Sequence, residues 1–101
     1  MALLYITEYE SITPTSEGGA AQIPREPAVV DQAPIAISGS SLQSVAFGKT
    51  TNYVRLHCDA ICSVKFGANP TATASNQRMA ASQTEFKGVT PGYKVAVITN
   101  S

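Results

Sequence analysis

Asn52-Tyr53-Val54-Arg55-Leu56-His57-Cys58-Asp59-Ala60-Ile61-Cys62-Ser63-Val64-Lys65-Phe66-Gly67 is the stretch whose reading decides the fold. Val54, Leu56 and Cys58 share one parity, and Tyr53, Arg55, His57 and Asp59 the other. Beyond the break, Cys62, Val64 and Phe66 alternate with Ser63 and Lys65. Successive side chains of an extended strand point to opposite faces, so the pattern spells one apolar and one wet face, twice. Asp59-Ala60-Ile61 has the length of a hairpin loop, which predicts Cys58 opposite Cys62 and Leu56 opposite Val64 in an antiparallel pair.

Working outward, Ala2 to Tyr9 reads as a strand whose consecutive apolar residues demand cover on both faces or a partner. Ser11 to Pro27 holds three prolines and the Gly18-Gly19 pair without periodicity. Proline removes donors and glycine adds freedom, so no regular structure is predicted there. A connection this long is uncommon inside a compact domain, and an extended arm on another subunit is expected, with Ile12 and Ile23 as plugs. Short strands are expected at Ala28–Val30, Ile35–Ile37, Leu42–Phe47, Thr84–Val89 and Tyr93–Ile98. Thr71–Ser75 reads as strand or coil, and Gln77–Ser82 as a loop anchored by Met79. Thr90-Pro91-Gly92-Tyr93 has the residues of a type II turn, with glycine where φ is positive.

About eight strands and no helix predict an all-β fold, an antiparallel β-sandwich or jelly-roll with an extended N-terminal arm. The division expected is residues 1–27 as strand and arm and residues 28–101 as the body.

The chain has 101 residues, zero net charge and only 14% charged residues. A domain of this size buries a little over about 60% of its unfolded surface, so the core is thin. Neutrality gives no electrostatic reason for nucleic acid or an anionic membrane as partner, and sparse charge favours association. The charge is unevenly placed. Up to Asp31 stand five acids and Arg25, a net −4; beyond it stand six cations against Asp59 and Glu85, a net +4. Two such parts can attract each other, within one chain or between neighbours; the alternative is that sparse surface charges divide this way by chance.

No apolar run approaches the roughly 20 residues that span a bilayer. Met1–Ile6 lacks the basic start of a secretory signal, so synthesis in a reducing cytoplasm is expected. Cys58 and Cys62 then behave as small apolar groups, and a short-loop bridge between them is geometrically conceivable.

His57-Cys58-Asp59 with Cys62 is the one cluster of metal-ligating types, but His57 points away from Cys58 in a strand and no second pair follows. Zinc wants four converging ligands, so no metal is expected. His57 is the sole histidine, and strand geometry keeps it from Cys58 as a base, so no enzyme and no cofactor are expected. Glu8 and Glu10 share a parity, yet no apolar wall surrounds them, and they read as a solvated edge. Tyr53, Arg55 and His57 form a small aromatic–basic strip, too poor in rings for single-stranded nucleic acid.

Taken as a set, Arg55–Gly67, Pro70–Thr73, Arg78–Phe86 and Val89–Ile98 resemble small all-β virion proteins of tailed bacteriophages, the capsid decoration (cement) proteins and related head components. The resemblance covers Leu42 to Ile98. It implies a non-enzymatic structural subunit on the capsid surface. Its implied partners are the major capsid protein and sibling copies, as a dimer or trimer. It carries no catalytic or ligand residues. Partner contacts are expected before Leu42, at Leu3, Leu4, Tyr5, Ile6, Tyr9, Ile12 and Ile23. The competing expectations are a head–tail connector or tail-fibre component, and a carbohydrate-binding sandwich. The last needs exposed aromatics in one groove, and Tyr9, Tyr53 and Tyr93 are scattered in sequence.

Overall fold

Alternation of apolar and polar residues dictates strands, and in the computed structural model, which describes residues 2–14 and 20–100, every regular element is one. In chain order these are β1 (Leu3–Tyr9), β2 (Ile12–Pro14), β3 (Ala20–Pro24), β4 (Val30–Asp31), β5 (Ile35–Ala36), β6 (Leu42–Gln43), β7 (Tyr53–Cys58), β8 (Cys62–Gly67), β9 (Gln77–Met79), β10 (Thr84–Gly88) and β11 (Lys94–Thr99). The fold is all-β, with two antiparallel sheets and a separate two-stranded hairpin. The larger sheet runs β10-β7-β1, with β4 and β5 sharing the far edge of β1. The smaller runs β6-β11-β8-β9, and β2 pairs with β3 alone.

The predicted hairpin between β7 and β8 is absent. Leu56 lies opposite Ile6 of β1 and Glu85 of β10, whereas Val64 lies opposite Val97 of β11. Cys58 faces Leu4 in one sheet, and Cys62 faces Met79 and Thr99 in the other. Asp59-Ala60-Ile61 is therefore an arch that crosses between sheets. Its first residue is held by the larger sheet, Asp59 N donating to Leu3 O at 3.0 Å. Its last is held by the smaller, Ile61 O accepting from Asn100 N at 3.2 Å. Three residues at about 3.3 Å each span the roughly 10 Å between packed sheets. Hairpin and arch give the same parity, with both apolar faces turned to one core, so alternation does not distinguish them.

That core joins both sheets. Leu4, Ile6, Val54, Leu56 and Cys58 of the larger face Cys62, Val64, Met79, Val95 and Val97 of the smaller, with Ile37 and Phe47 from connecting segments. Each fully buried aliphatic side chain contributes about 1.5–3 kcal/mol. Strand β1, grouped with the arm by its sequence, is the middle of the larger sheet, which explains its apolar run. Residues 77–79, expected as loop, form the edge strand β9, and Met79 is fully buried as anticipated. Gly92 has φ of 84° and Tyr93 N donates to Thr90 O at 3.1 Å, the turn its sequence requires.

The two outer faces differ. Ser63, on the wet parity of β8, is fully buried, because the segment from Ala68 to Asn76 folds over the smaller sheet. Gln43 donates to Asn69 Oδ1 and Pro70 O, Ser63 donates to Ala74 O, and Ala72 N donates to Ser41 Oγ. Among the described residues no such cover lies over the central rows of the larger sheet, where Tyr5 and Phe86 are exposed.

Candidate functional site

Register fixes what the outer face of the larger sheet presents. Thr84, His57 and Tyr5 lie side by side in one row across β10, β7 and β1. Phe86, Arg55 and Thr7 form the next row, which Asp31 of β4 continues. Gly88, Tyr53 and Tyr9 form the third. Tyr5 and Phe86 are 40% and 51% exposed. The His57 ring sits 6.4 Å from Tyr5, and His57 Nδ1 is 2.7 Å from Thr84 Oγ1. The Arg55 guanidinium has no ion-pair partner among the described residues.

The third row is the foot of the β2–β3 hairpin. Ser11 O accepts from Arg25 N at 3.0 Å, which closes the hairpin, and from the Tyr53 hydroxyl at 2.8 Å. The Tyr9 hydroxyl donates to Glu26 Oε2 at 2.7 Å, and Asn52 Nδ2 donates to Glu10 O at 2.7 Å. Burial, and then the Glu26 carboxylate, push the Tyr9 phenol up to about 12. Beside Glu26 and Pro27 an open groove of about 490 Å³ is lined by Tyr9, Arg55, Asp31 and Val30. The stretch expected to be an irregular arm is thus partly a hairpin: Ile12 pairs with Pro24 and Pro14 with Ala20. Gly18-Gly19 lies outside the described residues.

The residues expected at a partner interface separate into two groups. Leu4, Ile6 and Tyr9 are buried and present no surface; Leu3 is half-buried. Tyr5, Ile12 and Ile23 are exposed, Ile23 by 56%. Phe86, Arg55 and His57 join Tyr5 on the open face, a grouping the sequence reading missed for want of the strand order.

Glu8 corrects an expectation. It is not a solvated edge but a buried side chain, 1% exposed, because it shares the inward parity of Leu4 and Ile6. Its Oε1 accepts from Thr51 Oγ1 at 2.6 Å and Gly48 N at 2.8 Å, and its Oε2 from Gln32 Nε2 at 2.7 Å. Three donors satisfy it, as a buried polar group requires, and it ties two connecting segments to β1. Glu10 stays at the surface, so no carboxylate pair forms.

Both cysteines are free and buried. Cys58 Sγ donates to Ala80 O at 3.0 Å, and burial next to Cys58 pushes the Cys62 thiol up to about 12. That keeps the Cys62 thiol protonated in neutral solution, a poor nucleophile and a poor ligand. No group of three or more His, Cys, Asp or Glu side chains gathers among the described residues. No helix there is long and apolar enough to cross a membrane. Comparison with protein-family models, with curated proteins and with solved structures gives no match to the chain.

Proposed function

We propose that this chain is a structural, non-enzymatic subunit that acts by assembly, a capsid-decoration protein that stabilises a tailed-phage head by binding the major capsid protein and its own copies. In this reading the two sheets are a sandwich body, the hairpin is its arm, and the protein resides on the virion surface. One observation carries it. The β2–β3 hairpin belongs to neither sheet and exposes Ile12 and Ile23. A two-stranded hairpin alone is marginal in water, so exposed apolar side chains of this kind gain from a partner surface. The strand-and-turn resemblance of Leu42–Ile98 to decoration proteins supplies the kind of partner.

The test removes the hairpin only. Because β1 is central in the larger sheet, the excision spans residues 12–24, with Ser11 joined to Arg25 through two glycines. Ser11 O and Arg25 N already meet at 3.0 Å, so the body keeps its fold. The shortened protein is expected to leave purified heads undecorated. Decoration at full affinity sinks the reading.

A specific observation favours a second reading. Tyr5, Tyr53 and Phe86, distant in sequence, share one face with Arg55, as a carbohydrate-binding platform requires. Saturable binding on a glycan array by protein that stays monomeric would select it.

A further inference from the structure

We propose that two copies of this chain pair edge to edge through β10, antiparallel and centred on Phe86, into one continuous sheet. This rests on the assembly reading above and names the contact between sibling copies.

Strand β10 ends the larger sheet and is bonded to β7 on one side only. Cys58 N donates to Gln83 O at 3.2 Å, and Val89 N donates to Asn52 O at 2.9 Å. Bonded and non-bonded positions alternate along an antiparallel pair, so Glu85 and Lys87 also bond toward β7. Thr84, Phe86 and Gly88 therefore turn their N–H and C=O groups outward. Among the described residues no further strand pairs with that edge. The other edges of the two larger sheets, at β4, β5, β6 and β9, hold two or three residues each, whereas β10 has five. Very short edges are protected against pairing, and β10 lacks that protection. The space beside it is open: a Cβ placed on Gly88 would meet nothing within 4 Å.

Charge selects the partner strand and its register. Glu85 and Lys87 lie opposite Leu56 and Val54, so both point toward the inner face of the sheet. Lys87 Nζ is 2.7 Å from Glu85 Oε1, and the two side chains stay 26% and 25% exposed. Inward-pointing charges usually guard an edge. Here the guard carries both signs, and one register of a second β10 satisfies it. With Phe86 on the two-fold axis, Glu85 lies opposite the partner's Lys87, and Lys87 opposite the partner's Glu85. A slip of two residues in one direction sets Lys87 against Lys87, and in the other Glu85 against Glu85. Like charges directly opposite destabilise a sheet. A slip of one residue sets outward groups against inward ones and breaks the ladder.

The centred register also satisfies the backbone. Thr84 meets the partner's Gly88 and Phe86 meets the partner's Phe86, so each outward N–H gains an acceptor and each outward C=O a donor. The two Phe86 rings, 51% exposed in one copy, come side by side on the outer face. Both copies use the same patch, so the contact is isologous and closes at two.

Glu85→Lys and Lys87→Glu test this, with the fold of each checked by circular dichroism. Either variant alone sets like charges across the axis, whereas a mixture of the two restores opposite charges at each position. Wild type is expected at twice 10.6 kDa by native mass spectrometry at roughly 0.1 mM. Each variant alone is expected at 10.6 kDa, its self-association weakened about tenfold or more, and the equimolar mixture again at twice that mass. In wild type, hydrogen exchange at the Thr84, Phe86 and Gly88 amides is expected to slow as concentration rises, with the Glu85 and Lys87 amides protected throughout.

Monomeric wild type at that concentration overturns the pairing and leaves Glu85 and Lys87 as an effective guard. A dimer whose Thr84, Phe86 and Gly88 amides exchange at one rate at every concentration places the contact elsewhere, as do single variants that dimerise like wild type. Variants that stay monomeric when mixed exclude this register. Decoration of purified heads by the full chain and by the hairpin-excised protein is read separately from mass, so the assembly reading can stand when the pairing falls.

Discussion

Tyr53 stacks on Tyr9 with ring centroids 5.4 Å apart and planes within 18°, and their hydroxyls hold the two sides of the hairpin foot. Tyr53 grips Ser11 O on the outgoing chain, and Tyr9 grips Glu26 on the returning chain. The stack joins β1 to β7, so the hairpin is clamped to the two inner strands of the larger sheet.

Removing either hydroxyl by Tyr9→Phe or Tyr53→Phe is expected to loosen the hairpin without unfolding the body. A hydrogen bond contributes about 0.5–1.5 kcal/mol net, which makes hairpin opening roughly two- to tenfold more frequent. Tryptic cleavage after Arg25 measures this directly. Unchanged cleavage in both variants would show that the clamp lies elsewhere.

Tyr9 also sets an alkaline limit. Its phenol is raised from an ordinary 10.0 to about 12 by burial and by Glu26. A group with a raised folded pKa stabilises fully below its unfolded pKa and loses that contribution as pH climbs toward the folded one. Stability from this phenol is therefore complete below pH 10 and fades between 10 and 12. Burial raises the Tyr53 phenol as well, so phenolate absorbance should show a late-ionising component that Tyr9→Phe shrinks without abolishing.

The thiols should be silent in the native state. Burial, and then the neighbouring Cys58, push the Cys62 thiol up to about 12, and neither cysteine is exposed. Alkylation at neutral pH is expected to modify neither cysteine until denaturant unfolds the chain, whereupon both react. Rapid modification of the folded protein would contradict the buried arch.

Much of this was readable before any coordinates. The parities of β1, β7 and β8 named the core side chains, and Thr90–Tyr93 named its own turn. Strand partners were not readable, because Asp59-Ala60-Ile61 serves a hairpin and an arch equally well, and only the backbone bonds of Asp59 to Leu3 and Ile61 to Asn100 decide between them. The open face was hidden for a related reason. Tyr5, Arg55 and Phe86 become neighbours through pairings between strands 30 to 50 residues apart, which no local pattern encodes. Glu8, by contrast, left a signal: an acid on the parity of Leu4 and Ile6 is an acid turned inward.

Core and face are expected to respond oppositely to truncation. Leu56→Ala opens a cavity between the sheets at a cost of about 2–5 kcal/mol. Phe86→Ala, at 51% exposure, is expected to change stability by less than about 0.5 kcal/mol. Urea unfolding of the same two proteins separates the roles. Phe86→Ala protein that loses as much stability as Leu56→Ala would move that ring from the surface to the core.

Glu8 gives the sharpest stability test, since its three donors come from three places in the chain: Gln32, Gly48 and Thr51. Glu8→Leu fits the apolar parity of β1 but strands those donors, and buried unsatisfied groups together with the lost charge-assisted bonds cost roughly 2–4 kcal/mol. Glu8→Gln keeps one acceptor oxygen for Thr51 and Gly48, but turns an NH2 toward the NH2 of Gln32, so an intermediate loss is expected. Thr51→Val removes one donor and leaves the carboxylate two, which predicts the smallest effect. The order of urea midpoints should be wild type, Thr51→Val, Glu8→Gln, Glu8→Leu. A Glu8→Leu protein as stable as wild type would mean that the carboxylate is replaceable by packing, and that these segments are held by their backbone bonds to β1, such as Gln32 N to Ile6 O at 2.9 Å.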